Sequence, residues 1–212
     1  MSVTSRRRQR HEATLDEIVD HAVAILSTEG VAGLSLGEIA RRLGMRTQSL
    51  YTYVDSKAAL FDELFRRGWE KNFEAIDAAM AAERALGPDT DTGAYMLAGL
   101  EANIRWILDH PGLAQLMLFR PVPTWEPTAE AYAASVRVFS LLNDELATLR
   151  QQGRLRTDIP LDEMAQGLAN IGAGVISRQL GNNPGVRYDD GTAPREFRAL
   201  FRALLATYLP EE

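Results

Sequence analysis

Between Arg46 and Thr52 the chain sets Arg46, Thr47, Gln48, Ser49, Tyr51 and Thr52 around one aliphatic side chain, Leu50. In a major groove arginine pairs bidentately with guanine and glutamine with adenine, so Arg46 and Gln48 are candidates for reading base edges. The hydroxyls of Thr47, Ser49 and Thr52 can donate to phosphate oxygens, contacts that fix position without carrying sequence information. Lys57 follows a capping residue, Asp55 or Ser56, and falls in the first turn of a helix. A cation there opposes the helix macrodipole, yet a helix N-terminus bearing a lysine suits a phosphate. Tyr51 and Tyr53 lie about 200° apart around a helix axis. They cannot both face the core, so we assign Tyr53 to packing and Tyr51 to a phosphate. Other chemistries lack their residues. With no cysteine there is no disulfide, thiolate nucleophile, Cys-ligated zinc or iron–sulfur cluster. His11, His21 and His110 have no metal-ligand spacing. The chain shows no Ser/His/Asp pattern and no phosphate-cradling glycine loop, and Asp144-Glu145 and Asp162-Glu163 are what solvated helix faces carry. No enzymatic activity, cofactor or metal is expected.

The elements that must position residues 46–57 are helices. From Leu15 the apolar positions Leu15, Ile18, Val19, Ala22, Ile25 and Leu26 follow the stripe of a surface helix, which should stop at Gly30. Ser35 reads as the N-cap of a second, short helix, with Glu38 completing a capping box. That helix stops at Gly44, where the turn favours positive φ. A third short helix fits Thr47 to Tyr53, and a fourth starts at Lys57 and runs into the eighties. Two short helices joined by a glycine turn make a helix-turn-helix. Ala40 is small where the pair crosses, and Ile39, Leu43, Met45 and Leu50 supply apolar contacts. Ser35, at the entry of the pair, joins the DNA-facing set.

The stretch from His11 to about Leu64 resembles the DNA-binding domain of TetR-type (tetracycline-repressor-like) transcriptional regulators. The match is carried by Ile25-Leu26, Gly30, Leu34-Ser35-Leu36 and Glu38-Ile39-Ala40-Arg41-Arg42-Leu43-Gly44. It continues through Leu50-Tyr51-Thr52-Tyr53-Val54 and Ser56-Lys57-Ala58-Ala59-Leu60. That family often has Ser, Lys and Gly in the turn and early recognition helix, where this chain has Arg46, Thr47 and Gln48. The resemblance implies a DNA-binding domain over residues 1–60 and a ligand-binding and dimerisation domain over residues 61–212. It implies a repressor released from a double-stranded DNA operator by a small, mostly apolar effector.

The remaining 152 residues read as helices throughout, with no sustained period-2 stretch, so the fold class is all-α: a three-helix domain followed by a helical bundle. Helices are expected over about Ala94–Asp109, Leu113–Phe119, Thr128–Gln152, Pro160–Leu180 and Pro194–Leu209. The last two carry apolar stripes, Leu168, Ile171 and Val175 on one, and Phe197, Leu200, Phe201, Leu204, Leu205 and Tyr208 on the other. These are expected to form a homodimer interface, a four-helix bundle across a two-fold axis; the alternative is that they fold inward within one chain. Interrupted stripes suggest a diffuse effector pocket: Asn103, Trp106, Tyr132, Phe139, Asn143 and Asn170, with Met117, Phe119 and Trp125.

Charge supports the division. Net charge is −6, but residues 1–60 hold eight Lys/Arg against seven Asp/Glu, whereas residues 61–212 hold 15 against 22. Nucleic-acid contact therefore belongs to the first part. Arg6, Arg7, Arg8 and Arg10 form a basic arm that reads equally as lying along phosphates, entering a minor groove, or simply solubilising the terminus. No apolar run approaches the ~18–20 residues of a membrane span and no apolar signal region follows the arm, so a cytoplasmic protein with no membrane partner is expected.

Overall fold

A computed structural model describes residues 3–87 and 90–210, and the side chains from residue 6. All regular structure among the described residues is helical: α1 (Val3–Gly33), α2 (Leu36–Arg42), α3 (Thr47–Leu50), α4 (Lys57–Arg84), α5 (Thr92–Asp109), α6 (Pro111–Leu118), α7 (Ala129–Gln151), α8 (Leu161–Asn182) and α9 (Ala193–Tyr208). They fall into two compact units. The first runs through Gly68 and takes in Gly112–Ala133; the second comprises Trp69–Pro111 and the chain from Ala134. The cut expected at residue 60 lies inside α4, and the boundary along that helix falls at Gly68–Trp69.

In the first unit Ile18, Ala22, Ile25 and Leu26 of α1 are buried with Leu34, Leu36, Ile39, Ala40, Leu50, Leu60 and Leu64. These are the apolar positions that set the helical period. Gly30 breaks α1 with φ 68, and Gly44 takes φ 65 between α2 and α3. Helix α1 begins near Val3, not at Leu15. Residues 6–13 carry no apolar stripe, which hides a helix that is polar all round. The capping box is half made. Ser35 Oγ accepts from the Glu38 backbone N–H at 3.2 Å, but the Glu38 carboxylate turns to Arg41 and Arg42 instead. Those guanidiniums hold its carboxyl down at about 2, because hydrogen bonds to the charged form favour it. Helix α3 stops at Leu50, three residues short of expectation.

Sequence-distant segments complete this unit. Trp125 donates through Nε1 to Asp62 Oδ1 at 3.1 Å and packs its ring against Phe61 and Phe65. Gly112 lies so close to the α1 backbone at Leu26 that a Cβ would stand 2.7 Å from its carbonyl carbon.

The second unit packs α8 against α9 and both against α5. Leu168, Val175, Phe197, Phe201, Leu205 and Tyr208 are buried within it. The loop after α8 is pinned by Tyr188, fully buried, whose hydroxyl donates to Glu101 Oε1 at 2.7 Å. Burial first, and Glu101 second, push that phenol well above its ordinary value.

Candidate nucleic-acid interface

The helix-turn-helix is closed by backbone bonds from its turn. Gly44 N donates to the Arg41 carbonyl at 3.2 Å and Met45 N to the Ala40 carbonyl at 3.0 Å. Ala40 is buried at this crossing, and Leu50 is fully buried on the inner side of α3. The inner anchor fixes the outer face: Arg46, Thr47, Gln48 and Ser49 are all exposed. Arg46 occupies the N-cap position of α3 without a side-chain capping bond. Its guanidinium makes no hydrogen bond or ion pair among the described residues, as a base-reading group requires. Thr52 is exposed, but its hydroxyl donates to the Ser49 carbonyl at 2.7 Å. Only its lone pairs remain outward, so it accepts rather than donates there. Ser35 Oγ is likewise occupied as an acceptor at its cap.

The two tyrosines part as their spacing requires. Tyr51 is 44% exposed, and Tyr53 is half-buried, stacked on His11 at a centroid distance of 4.8 Å. Ser56, not Asp55, caps α4, accepting from Ala59 N at 3.0 Å. Lys57 is therefore the first residue of α4, exposed, with Nζ 5.5 Å from the centroid of the Phe61 ring. By contrast Arg42 is spent on Glu38 and Glu29, and Arg41 on Glu38.

The expected pocket residues divide between the units. Met117 and Trp125 are buried in the first, where Phe119 and Tyr132 are exposed. In the second, Asn103 and Trp106 are half-buried, and Trp106 stacks on His110 at 4.3 Å. Phe139, Asn143 and Asn170 are exposed. The expectation of buried asparagines is corrected for these last two. Asn143 simply donates to the Phe139 carbonyl one turn earlier, as solvated helix surfaces commonly do.

A polar residue not singled out from the sequence is buried instead. Asn72 is fully buried and donates to the Asn103 carbonyl at 3.2 Å, while its Oδ1 has no partner among the described residues. The signal was its place in the stripe Trp69, Asn72, Ile76, Met80. A separate cleft of about 750 Å³ in the second unit is lined by Arg84, Tyr95, Glu145, Thr148 and Arg154, none of them expected there. Tyr95 donates to Glu145 Oε2 at 2.6 Å; burial, then Glu145, pushes its phenol up to about 12.

Of the stripe expected at a dimer interface, Leu168, Val175, Phe197, Phe201, Leu205 and Tyr208 are buried within the single chain, whereas Ile171, Leu200 and Leu204 are more accessible.

A buried α2–α3 pair with a polar outer face, followed by a capped α4, defines a helix-turn-helix protein. The family of bacterial regulatory proteins of the tetR type matches residues 18–64, which hold this pair and the start of α4. The HTH-type transcriptional repressor DrrR1 of Streptomyces coeruleorubidus is 32% identical over 141 residues, covering 64% of this chain but 47% of DrrR1. The chain thus spans about half the length of that relative. The HTH-type transcriptional regulator Rv1816 of Mycobacterium tuberculosis is 28% identical over 78% of this chain and 70% of its own. A TetR family transcription regulator from Marinobacter aquaeolei VT8 has the same fold, with a TM-score of 0.67 at 17% identity, over 96% of this chain and 100% of that one. Residues 18–64 thus match the tetR family of bacterial regulatory proteins, and the chain as a whole has the fold of solved TetR-type regulators.

Proposed function

We propose that the chain is a non-enzymatic, cytoplasmic transcriptional repressor that binds a double-stranded DNA operator and leaves it when a small, mostly apolar effector binds. The observation that carries this reading is the exposed face of Arg46, Thr47, Gln48 and Ser49 on a helix anchored by fully buried Leu50. Arg46 and Gln48 read bases, while Thr47, Ser49, Tyr51 and Lys57 hold phosphates. Ser35 and Thr52 support the same surface as acceptors and caps.

The protein acts as a homodimer, since two recognition helices must engage half-sites one turn apart. Two helical faces favour a second copy. On α8, Gln166, Asn170, Ala173, Gly174, Ser177 and Gly181 are exposed along one face. On α9, Ala199, Leu200, Ala203, Ala206 and Thr207 do the same. Small, uncharged side chains let helices approach closely in a four-helix bundle.

The effector belongs to the second unit. The Oδ1 of buried Asn72, without a partner among the described residues, gives it one acceptor; the Asn72 amide itself donates to the carbonyl of Asn103, one turn before Trp106. A buried acceptor without a partner costs about 1–3 kcal/mol, which a ligand donor offsets.

The test is selection of bound fragments from genomic DNA by purified protein. An enriched inverted repeat with half-sites about one helical turn apart is expected; no enrichment over random duplex overturns the reading.

A further inference from the structure

The basic arm is not an arm. Helix α1 continues to Val3, and this puts Arg6, Arg7, Arg10 and His11 on one helical face at i, i+1, i+4 and i+5. That face borders the segment just after α3. Arg6, Arg7, Arg10 and His11 join Thr52 and Tyr53 around an open cleft of about 590 Å³. The His11–Tyr53 ring stack fixes one end of it.

Arg8, outside this set, pairs with Glu12 on another side of the helix. No carboxylate pairs with Arg6, Arg7 or Arg10 among the described residues, although the chain has more acids than bases. Their placement is locally unfavourable. Arg6 and Arg10 are like charges one turn apart, and all three cations lie in the first turns of a helix whose dipole favours anions there. A bound anion relieves both terms.

Resting on the DNA-binding reading above, we propose that this cleft is a second phosphate seat. It takes backbone phosphates of duplex DNA that flank the bases read by Arg46 and Gln48. Thr52 belongs to both surfaces, following the recognition helix directly and lining the cleft. The charged face is thus continuous with the recognition face within one unit. Backbone phosphates suit the site, since its guanidiniums can clamp phosphate oxygens bidentately.

The experiment compares full-length wild type with the Arg6→Gln/Arg7→Gln/Arg10→Gln variant and with Arg8→Gln as control. Binding to a duplex selected by the wild type is measured across salt concentrations, with circular dichroism confirming the fold. Glutamine keeps helix propensity. The triple variant should lower the slope of log K against log salt by roughly 2 to 3 per recognition domain, with unchanged base preference; Arg8→Gln should keep the wild-type slope. Trimming the duplex ends outside the selected bases should lower the wild-type slope and leave the triple variant's as it was. A triple variant with the wild-type slope overturns the seat while the DNA-binding reading stands. A wild type that binds no duplex sinks both. If inorganic phosphate alone raises the wild type's melting temperature at low millimolar concentration while trimming has no effect, the cleft takes a free anion and the DNA proposal falls.

Discussion

Lys57 and Arg46 are both exposed cations near the recognition helix, yet their surroundings give them different work. Lys57 is fixed by the Ser56 cap at the first residue of α4 and rests over Phe61. In the proposed DNA complex it would meet a phosphate as a point charge. Lys57→Ala should weaken binding equally on all sequences and lower the salt slope by about one. Arg46→Ala or Gln48→Ala should instead relax preference at one base pair per half-site, at a cost of ~1–3 kcal/mol. Competition binding with single-base operator variants separates the two; a Lys57→Ala protein with altered base preference and unchanged slope would contradict the division. Glu38 makes a different kind of prediction. Its carboxyl is held at about 2, against 4.5 in the unfolded chain, by Arg41 and then Arg42. A folded-state pKa below the unfolded one gives stability that is full above 4.5 and lost as pH falls toward 2. Glu38→Gln should therefore unfold more readily than wild type at neutral pH, and the two urea midpoints should converge over that window. Parallel midpoints from pH 6 to 2 would show that the pair is not what Glu38 contributes.

The helices were legible where one face is buried and one is wet. Leu15 to Leu26 sets its period through Ile18, Ala22 and Ile25, all fully buried. Residues 6–13 form two more turns with nothing buried, so only the structure could join them to α1. Helix α3 was overextended because Tyr53 looks like one more apolar contact, when its partner is His11 from a distant helix turn. Punctuation was read correctly but incompletely. The gap expected between Asp109 and Leu113 does end α5, yet it narrows to His110: Pro111 opens α6 and Gly112 is its contact with α1. That role yields a prediction at this scale. Gly112→Ala adds a methyl 2.7 Å from the Leu26 carbonyl carbon, and backbone cannot swing aside like a side chain. Overpacking of this kind costs ~1–3 kcal/mol, so thermal unfolding should begin several degrees lower. Gly174→Ala, where a Cβ meets nothing within 4 Å in the single chain, should leave protomer stability unchanged or slightly raised while weakening the proposed dimer, whose α8 face includes it.

The proposed DNA-facing residues all lie within 23 consecutive positions, Ser35 to Lys57, on one local motif, so the sequence points to them together. The nine expected effector residues are spread over both units, and buried Asn72, whose amide donates to the Asn103 carbonyl, lies on α4, where the sequence singles out only Lys57 as a site residue. An amphipathic pattern likewise says that a face is buried, not whether its own chain or another covers it, and most of the expected dimer stripe is already buried in the single chain. Substitutions for testing assembly must therefore come from outside the core. Phe201→Asp would unfold the bundle by burying an unpaired charge. Leu200 is 48% exposed in the chain alone, so Leu200→Asp should leave each protomer folded. It should convert dimer to monomer by light scattering at micromolar concentration, with an unchanged far-ultraviolet spectrum; a variant that remains dimeric places the interface elsewhere. The same logic governs switching. Helix α4 carries Lys57 at its start and Asn72 further along. An effector held at Asn72 and Trp106 has a covalent route to the phosphate contact, and linkage makes the coupling reciprocal, at ~1–3 kcal/mol. With an effector found by screening small apolar molecules for release of the selected operator, Trp106→Ala should blunt release while keeping operator affinity. Asn72→Leu should do the same and also raise the melting temperature of the free protein, because an unpaired buried oxygen is removed. If both variants release the operator as the wild type does, the effector lies outside this part of the second unit, and the polar cleft at Arg84 and Arg154 becomes the next place to test.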